Sequence, residues 1–233
     1  MDALILAAGF GTRLGLSADG NPKPMVQVGN EPLLSYNIRK LLNIGIDKIF
    51  INSHYKYEII KDFIDYNLEF KGNVFLIHEP VLLGTASTIK HLYKNEILTD
   101  LLVMHGDNYF EDSLVNLKKS FTVLDKNFCG VIGTFITDTP EKCGILVVKN
   151  GKILEIHEKT NSNFGNLANS AIYIFNNKAL VEITKLRKQQ NDLSLHFIPQ
   201  VITRLKPVRL DGEFIDIGTP KNLKRARLIA KTN

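Results

Sequence analysis

The opening residues, from Met1 to Met25, constrain the fold of this chain more than any other stretch. Residues 3–7 are an apolar run of the length expected for a buried strand, and small residues follow directly in Ala8-Gly9-Phe10-Gly11-Thr12-Arg13. A strand that ends in such a turn presents backbone N–H groups, which suit phosphate oxygens. We therefore expect the chain to begin with a strand and a phosphate-binding loop.

Two familiar glycine-rich motifs do not fit this loop. The dinucleotide-binding fingerprint needs a third glycine where Leu14 stands, and the P-loop needs a Gly-Lys-Ser/Thr sequence that is absent. Instead, a polar segment covering residues 15–21 follows Arg13 and ends at Pro22-Lys23-Pro24. The prolines restrict the backbone around Lys23, while glycines leave the earlier segment mobile. We therefore expect a flexible lid over a polyphosphate, with one rigidly placed lysine.

Composition restricts the class of protein further. The 233 residues are 44% hydrophobic, which is enough for the core of one α/β domain. The net charge of +5 is mild and spread among 24 acidic residues, so it favours a solvated surface over a nucleic-acid-binding face. No apolar run approaches the roughly twenty residues that cross a bilayer, and no signal segment precedes the first strand. Cys129 and Cys143 lack zinc-ligand spacing. We expect reduced cysteines, a cytoplasmic location, and no nucleic-acid or membrane partner.

Short apolar segments alternate with helical segments through the first half of the chain. Strands are predicted at residues 47–52, 73–78 and 100–104, and helices are predicted to begin at Pro32, Lys56 and Thr85, the first of them ending at Gly45. This alternation predicts an α/β fold, Rossmann-like, with a mostly parallel central sheet and helices on both faces. Ligands of such sheets bind beyond the carboxyl ends of the strands.

The second half of the chain is predicted to contain mainly strands at first, and helices only towards its end. Strands are predicted at residues 130–136, 144–148, 152–157 and 168–175, with little helix between them. Asn150-Gly151 and Asp211-Gly212 predict hairpin turns. Helices are predicted at residues 177–189 and 195–205, and a basic helix is predicted from Pro220 to Ala230. This half is therefore expected to be a β-rich subregion.

The order of the motifs resembles a known enzyme family. Leu6-Ala7-Ala8-Gly9-Phe10-Gly11-Thr12-Arg13-Leu14, followed by Lys23-Pro24, is similar to the signature of the sugar-1-phosphate nucleotidyltransferases, also called nucleotide-sugar pyrophosphorylases. The likeness covers nearly the whole chain and is closest to mannose- and mannoheptose-1-phosphate guanylyltransferases. It implies that a nucleoside triphosphate and a sugar 1-phosphate give a nucleoside diphosphate sugar and pyrophosphate.

The sequence contains no appended acyltransferase-like repeat region, so we expect a minimal member of the family. We expect a single nucleotidyltransferase domain over residues 1–233. Residues 1–127 would mainly bind the nucleotide, and residues 128–233 would mainly bind the sugar phosphate in the β-rich subregion. The sequence does not indicate whether the protein forms a homo-oligomer.

The resemblance also implies roles for residues of the nucleotide site. Arg13 and Lys23 would neutralise the triphosphate and the leaving pyrophosphate, and Asp107 is a third catalytic candidate. Asp107 and Asp216 would together hold Mg²⁺, which prefers carboxylate oxygens. The remaining nucleotide-binding candidates are Leu6, Ala7, Ala8, Gly9, Gly11, Thr12, Glu79 and Gly84.

A second group of residues resembles the sugar-phosphate site of the family. Glu158 would accept hydrogen bonds from sugar hydroxyls, and Lys159 would hold the sugar phosphate. Asn169 would contact the sugar, and Gly144 precedes the wall of this site. Thr160 replaces the usual proline after Lys159, and Ala171 stands where a glycine is common.

The nucleotide base is expected to be read by the segment from His78 to Thr85 together with Leu6 to Gly9. The ionised carboxylate of Glu79 can only accept hydrogen bonds, and guanine offers two adjacent donors, so this residue favours GTP. In the alternative, Glu79 faces solvent and a backbone amide near Gly84 reads the base. A uridylyl- or cytidylyltransferase that acts on a sugar phosphate is a separate alternative. Two other functions stay open: transfer to a non-sugar phosphate such as phosphocholine, and a non-catalytic regulatory subunit that binds nucleotide sugars.

Overall fold

A computed structural model describes residues 1–18 and 20–231. The strands of these residues are β1 (Asp2–Leu6), β2 (Gln27–Val28), β3 (Glu31–Pro32), β4 (Ile49–Ser53), β5 (Val74–His78), β6 (Asp100–His105), β7 (Asn108–Phe110), β8 (Gly130–Ile136), β9 (Gly144–Lys149), β10 (Lys152–Glu158), β11 (Leu167–Asn176), β12 (Leu205–Arg209) and β13 (Phe214–Asp216). The α-helices are α1 (Leu33–Asn43), α2 (Tyr57–Tyr66), α3 (Thr85–Asn95), α4 (Val115–Thr122), α5 (Asn177–Thr184), α6 (Ile198–Val201) and α7 (Pro220–Ile229).

The chain folds into two compact units. The N-terminal unit consists of Asp2–Leu82, Met104–Ser113 and Gly212–Asn233. The central unit consists of Leu83–Val103 and Leu114–Asp211, together with Met1. The single domain expected from the sequence, with its division at residue 127, stays a prediction.

In the N-terminal unit, β1, β4 and β5 are parallel neighbours in that order. Ala3, Leu4 and Ile5 of β1 are fully buried. A parallel strand that is covered on both faces needs apolar residues on both faces, and β1 has them. The predicted end of the first helix is confirmed, since Gly45 follows α1 with a left-handed φ of 72°. The short strands β7 and β13 pair antiparallel.

A separate apolar cluster of the N-terminal unit anchors the chain on either side of the predicted lid. Leu14 is 1% exposed although it follows directly after the glycine loop. The other members of its cluster lie in or next to β2, α1, β7, β13 and α7, namely Val26, Val28, Leu33, Tyr109, Ile215, Ile217, Leu223 and Ala226. Burial of this size fixes the loop ends, because each buried large apolar side chain contributes about 1.5–3 kcal/mol.

In the central unit, the strands lie in the order β10-β9-β11-β8-β12. All of these pairings are antiparallel except that of β12 with β8. The predicted hairpin turn is confirmed, since Asn150 and Gly151 have φ values of 51° and 73° and join β9 to β10. The β-rich subregion predicted from the sequence is thus present.

Two predicted elements are wrong. Asp211-Gly212 does not close a hairpin, because β12 pairs with β8 and β13 pairs with β7. The helix predicted at residues 195–205 is broken into the π-helical turn Leu193–Phe197, α6 and the 3-10 turn Ile202–Arg204. Among the described residues, no helix combines the length and the apolar character of a membrane span.

Candidate active site

The loop after β1 begins with buried residues and ends exposed. Leu6, Ala7 and Ala8 are 8%, 4% and 5% exposed, whereas Gly9 and Thr12 lie at the surface. The backbone N–H of Ala7 donates to Oδ1 of Asn52 at 2.8 Å. Asn52 lies at the carboxyl end of a predicted strand, where ligands of such sheets bind, but the sequence alone gives it no role.

Lys23 lies directly against the glycine loop. A Cβ atom at Gly11 would be 2.9 Å from Cγ of Lys23, and Gly11 has a left-handed φ of 67°. Both features require glycine at this position. Lys23 begins a short 3-10 helix, Lys23–Met25, whose N-cap is Pro22. Pro22 and Pro24 restrict the backbone on both sides of this lysine.

Asp107 is the partner of Lys23. Nζ of Lys23 donates to Oδ2 of Asp107 at 2.9 Å, and the lysine side chain is only 12% exposed. Burial alone would raise the pKa of Asp107, but Lys23 and the neighbouring His105 hold this pKa below its ordinary value. The carboxyl group of Asp107 is therefore ionised.

Arg13 and Asp216 form a second, looser pair. Nη2 of Arg13 lies 3.7 Å from Oδ2 of Asp216, and the two side chains are 65% and 48% exposed. The other carboxylate oxygen of Asp216, Oδ1, accepts a hydrogen bond from the N–H of Gly218 at 2.7 Å. Both predicted phosphate-binding cations thus lie beside a predicted metal ligand.

The pairing of β7 with β13 brings the two aspartates together. Asp216 is the register partner of Asn108, and the N–H of Ile217 donates to the carbonyl oxygen of Asp107 at 3.0 Å. Within residues 1–18 and 20–231, no group of three or more His, Cys, Asp or Glu side chains could hold a metal ion. Two carboxylates fit Mg²⁺ nevertheless, because this ion commonly takes one or two carboxylates and completes its shell with phosphates and water.

Glu79 does not face solvent, so the alternative orientation expected for it is wrong. Its side chain is 2% exposed, and its Oε1 accepts a hydrogen bond from Nδ2 of Asn52 at 2.8 Å. The predicted contact of Glu79 with the nucleotide base has no support from this buried position and stays a prediction.

Gly84 belongs to the central unit, where it precedes α3. Its φ is 92°, and a Cβ atom there would be 2.8 Å from the carbonyl oxygen of Asn191. That oxygen accepts a hydrogen bond from the N–H of Ala86 at 2.8 Å. Packing against Asn191 is enough to require glycine here, so the predicted contact with a base stays a prediction.

Gly144 and Glu158 lie side by side on the hairpin of β9 and β10. They are register partners, and a Cβ atom at Gly144 would be 2.4 Å from Oε1 of Glu158. Burial raises the pKa of Glu158, an effect that Lys159 opposes and Asp192 reinforces. Lys159 follows with a left-handed φ of 45°, and its N–H donates to the carbonyl oxygen of Cys143 at 3.1 Å.

Asn169 lies at the irregularity of β11. Its Oδ1 accepts from the N–H of Ala171, which has a left-handed φ of 55°, and its Nδ2 donates to the hydroxyl of Tyr173, both at 2.8 Å. Burial raises the pKa of Tyr173, so its hydroxyl stays protonated. These two bonds leave Asn169 one amide hydrogen for a ligand.

The predicted site residues therefore form two groups, each within its own unit. The N-terminal unit contains the glycine loop, Arg13, Lys23, Glu79 and the two aspartates. The central unit contains Gly84, Gly144, Glu158, Lys159 and Asn169. A glycine loop at the carboxyl end of a parallel strand, with paired cations and carboxylates nearby, is an arrangement typical of α/β proteins that bind phosphorylated ligands.

Comparison with known proteins identifies the family within this class. The profile of the nucleotidyl transferase family matches residues 2–232, and the chain belongs to this family. This result confirms the resemblance seen in the sequence. Nucleotidyltransferases of this family generally use divalent metal ions.

Two curated relatives show how far the likeness extends. The bifunctional protein GlmU of Methanococcus aeolicus is 33% identical over 96% of this chain, and the matched region is 53% of that protein. The chain thus spans about half the length of this relative. The D-glycero-alpha-D-manno-heptose 1-phosphate guanylyltransferase of Aneurinibacillus thermoaerophilus is 28% identical, with 97% of both chains covered.

A solved structure confirms the predicted α/β fold. HddC from Yersinia pseudotuberculosis, crystallised in complex with GMP-PN, superimposes with a TM-score of 0.80 and 27% sequence identity. The match covers 98% of both chains.

Proposed function

We propose that this protein is a sugar-1-phosphate nucleotidyltransferase that uses GTP and Mg²⁺. The observation that carries this proposal is the arrangement of Lys23 with Asp107, and of Arg13 with Asp216, around the glycine loop of a nucleotidyl transferase family member. A triphosphate substrate suits this arrangement. The two cations can bind its phosphates, and the two carboxylates beside them can hold a metal ion.

The reaction needs no nucleophilic side chain. A phosphate oxygen of the sugar 1-phosphate attacks the α-phosphorus of the nucleotide in line, the bond to the bridging oxygen breaks, and pyrophosphate leaves. Arg13 and Lys23 stabilise the charge on the triphosphate and on the leaving group. Asp107 and Asp216 would hold Mg²⁺, which supplies further neutralisation of phosphate charge when bound.

The sugar phosphate is assigned to the residues of the central unit. Glu158 accepts hydrogen bonds from sugar hydroxyls, Lys159 binds the phosphate, and Asn169 donates its remaining amide hydrogen. Gly144 leaves space for the carboxylate of Glu158. The acceptor is a hexose or heptose 1-phosphate.

The choice of GTP rests on the relatives rather than on Glu79. A full-length relative is named a heptose 1-phosphate guanylyltransferase, and HddC was crystallised with a guanine nucleotide analogue. We also infer a cytoplasmic location, since both described cysteines, Cys129 and Cys143, are free thiols.

A pyrophosphate-release screen tests the proposal. The purified protein is incubated with GTP, UTP, CTP or dTTP, and with mannose, glucose or heptose 1-phosphate, or phosphocholine, in the presence of Mg²⁺. We expect release with GTP and one sugar 1-phosphate. At least about tenfold higher kcat/KM with UTP or CTP would overturn the choice of GTP. Release with phosphocholine alone would overturn the sugar, and nucleotide-sugar binding without release would indicate a regulatory subunit.

A further inference from the structure

A buried polar pair lies at the carboxyl ends of β4 and β5. Asn52 and Glu79 are 3% and 2% exposed, and neither position has an assigned function in the mechanism above. We infer that Glu79 is a positioning residue, which acts through Asn52 and His54 to fix the loop after β1, and that it does not read the nucleotide base. This inference rests on the proposed function only in taking that loop to bind the nucleotide.

The first connection runs through the side-chain amide of Asn52. Its Nδ2 donates to Oε1 of Glu79, and its Oδ1 accepts from the backbone N–H of Ala7, both at 2.8 Å. An ionised carboxylate only accepts hydrogen bonds, so Glu79 fixes which end of the amide faces Ala7. The amide oxygen therefore meets the first N–H after β1, and the loop leaves the strand in a fixed direction.

The second connection runs through the main chain of Glu79. Its carbonyl oxygen lies 2.7 Å from Nδ1 of His54, which must carry the proton because a carbonyl can only accept. The His54 ring packs edge-on against Phe10, with centroids 5.2 Å apart. Glu79 itself is held by its own N–H, which donates to the carbonyl oxygen of Ser53 at 2.8 Å.

The burial of Glu79 argues for this role. A carboxylate removed from water is costly unless strong hydrogen bonds compensate for the lost solvation. A carboxylate that reads the base must be accessible to the nucleotide, whereas the carboxylate of Glu79 is buried and accepts a hydrogen bond from Asn52. The two connections reach the loop at Ala7 and at Phe10, which flank Ala8 and Gly9, the segment assigned to the nucleotide.

A reversal of the hydrogen bond between positions 52 and 79 tests the inference. Asn52→Asp alone places two carboxylates at hydrogen-bond distance and removes the donor. The double variant Asn52→Asp/Glu79→Gln restores the bond with opposite polarity. The new amide at position 79 then donates to the new carboxylate at position 52, whose other oxygen still accepts from Ala7. We expect the single variant to raise the KM for the nucleotide about tenfold or more, and the double variant to return it to within about threefold of wild type.

Hydrogen exchange of the Ala7 amide, measured by NMR, gives a readout that does not depend on activity. We expect protection in the wild type, loss of protection in Asn52→Asp and recovery in the double variant. A double variant that leaves both the exchange and the KM at the values of the single variant would overturn the inference. If no nucleotide is turned over by the wild type, the proposed function fails, and the exchange experiment still decides the role of Glu79.

Two further variants separate positioning from base reading and guard against misfolding of Asn52→Asp. Glu79→Gln keeps an acceptor for Asn52, so we expect the ratio of kcat/KM for GTP to that for ITP, which lacks the 2-amino group, to stay within about twofold of wild type. A larger change would show that Glu79 reads guanine. His54→Ala removes both the hydrogen bond to the carbonyl oxygen of Glu79 and the contact with Phe10. It should raise the nucleotide KM without changing protection at Ala7, whereas an unchanged KM would contradict the second connection.

Discussion

Arg13 and Lys23 have the same proposed task but very different surroundings. Lys23 is 12% exposed and compensates the charge of Asp107, so its removal would leave a carboxylate without its cation and reduce stability. Arg13 is 65% exposed, and its 3.7 Å pair with Asp216 belongs to the surface class that contributes about 0–1 kcal/mol. Arg13 therefore gives the cleaner test of phosphate neutralisation.

Arg13→Ala should lower kcat about a hundredfold or more, because a positive charge facing the leaving pyrophosphate is lost. The melting temperature should stay near the wild-type value. Steady-state pyrophosphate release and thermal unfolding measure the two quantities. Lys61→Ala, which removes an exposed lysine paired with Asp65 on α2, is the matched control and should not affect turnover. Near wild-type turnover of Arg13→Ala would contradict its role.

Glu158 should give the sugar-phosphate site a distinctive pH dependence. Burial raises its pKa above the ordinary value of 4.5, so Glu158 takes up a proton while the pH is still above that value. The proton removes an acceptor for sugar hydroxyls, and the KM for sugar 1-phosphate should rise as the pH falls through this raised pKa. The effect of pH on stability has the opposite sign. The folded state favours the protonated carboxyl group of Glu158, so its contribution to the free energy of unfolding is present at acid pH and is lost as the pH rises through the raised pKa.

The measurement is the KM for sugar 1-phosphate between about pH 5 and pH 8, compared with Glu158→Gln. The variant retains the titration of the substrate phosphate and lacks that of the carboxyl group. Superimposable profiles, after scaling, would show that Glu158 does not bind the sugar in its ionised form.

At the scale of elements, the short antiparallel pair of β7 and β13 determines the proposed metal site. Asp216→Asn should raise the Mg²⁺ concentration for half-maximal activity about tenfold, because one charged oxygen ligand is lost. Asp216 is 48% exposed, so the fold should be unaffected. Glu213→Gln, which changes an acidic residue just before β13 that pairs with Arg225, is the control. Equal Mg²⁺ titrations for wild type and Asp216→Asn would remove Asp216 from the site.

The sequence predicted elements with strong local signals and gave the wrong pairing where the partner strand is distant in the sequence. The apolar run from Ala3 to Ala7 predicts a strand by itself, and Asn150-Gly151 predicts a turn by itself. By contrast, β12 acquires its partner from β8, which lies far away in the sequence. The same limit applies to the site. Motif residues such as Lys23 were identified, whereas Asn52 gains its importance only from contacts with Ala7 and Glu79.

A side chain at Gly144 should displace the carboxylate of Glu158 rather than unfold the hairpin of β9 and β10. A Cβ atom there would lie 2.4 Å from Oε1 of Glu158, which is the far end of a flexible side chain and can turn aside. Gly144→Ala should therefore change the free energy of unfolding by less than about 1 kcal/mol and raise the KM for sugar 1-phosphate. Chemical denaturation and steady-state kinetics measure the two effects. In the background of Glu158→Ala the same substitution should not raise this KM further, and a further rise would show that the glycine is needed for another reason.

At the scale of the whole molecule, the two units carry different parts of the proposed chemistry. Every cation and carboxylate assigned to the triphosphate and metal lies in the N-terminal unit, and the residues assigned to the sugar phosphate lie in the central unit. The chain is therefore expected to respond to the two ligands through separate residues, so that a substitution in one group should leave binding at the other largely unchanged.

Ligand-induced stabilisation tests this separation. A ligand at about one hundred times its Kd stabilises the native state by about 2.7 kcal/mol, which raises the melting temperature of a chain of this size by roughly 5–10 °C. Mg²⁺ with a non-hydrolysable GTP analogue should produce such a shift in the wild type and in Glu158→Ala, and a smaller one in Arg13→Ala. Sugar 1-phosphate should stabilise the wild type and Arg13→Ala but not Glu158→Ala. A substitution that abolishes both shifts while the protein stays folded would contradict the division of labour between the two groups of residues.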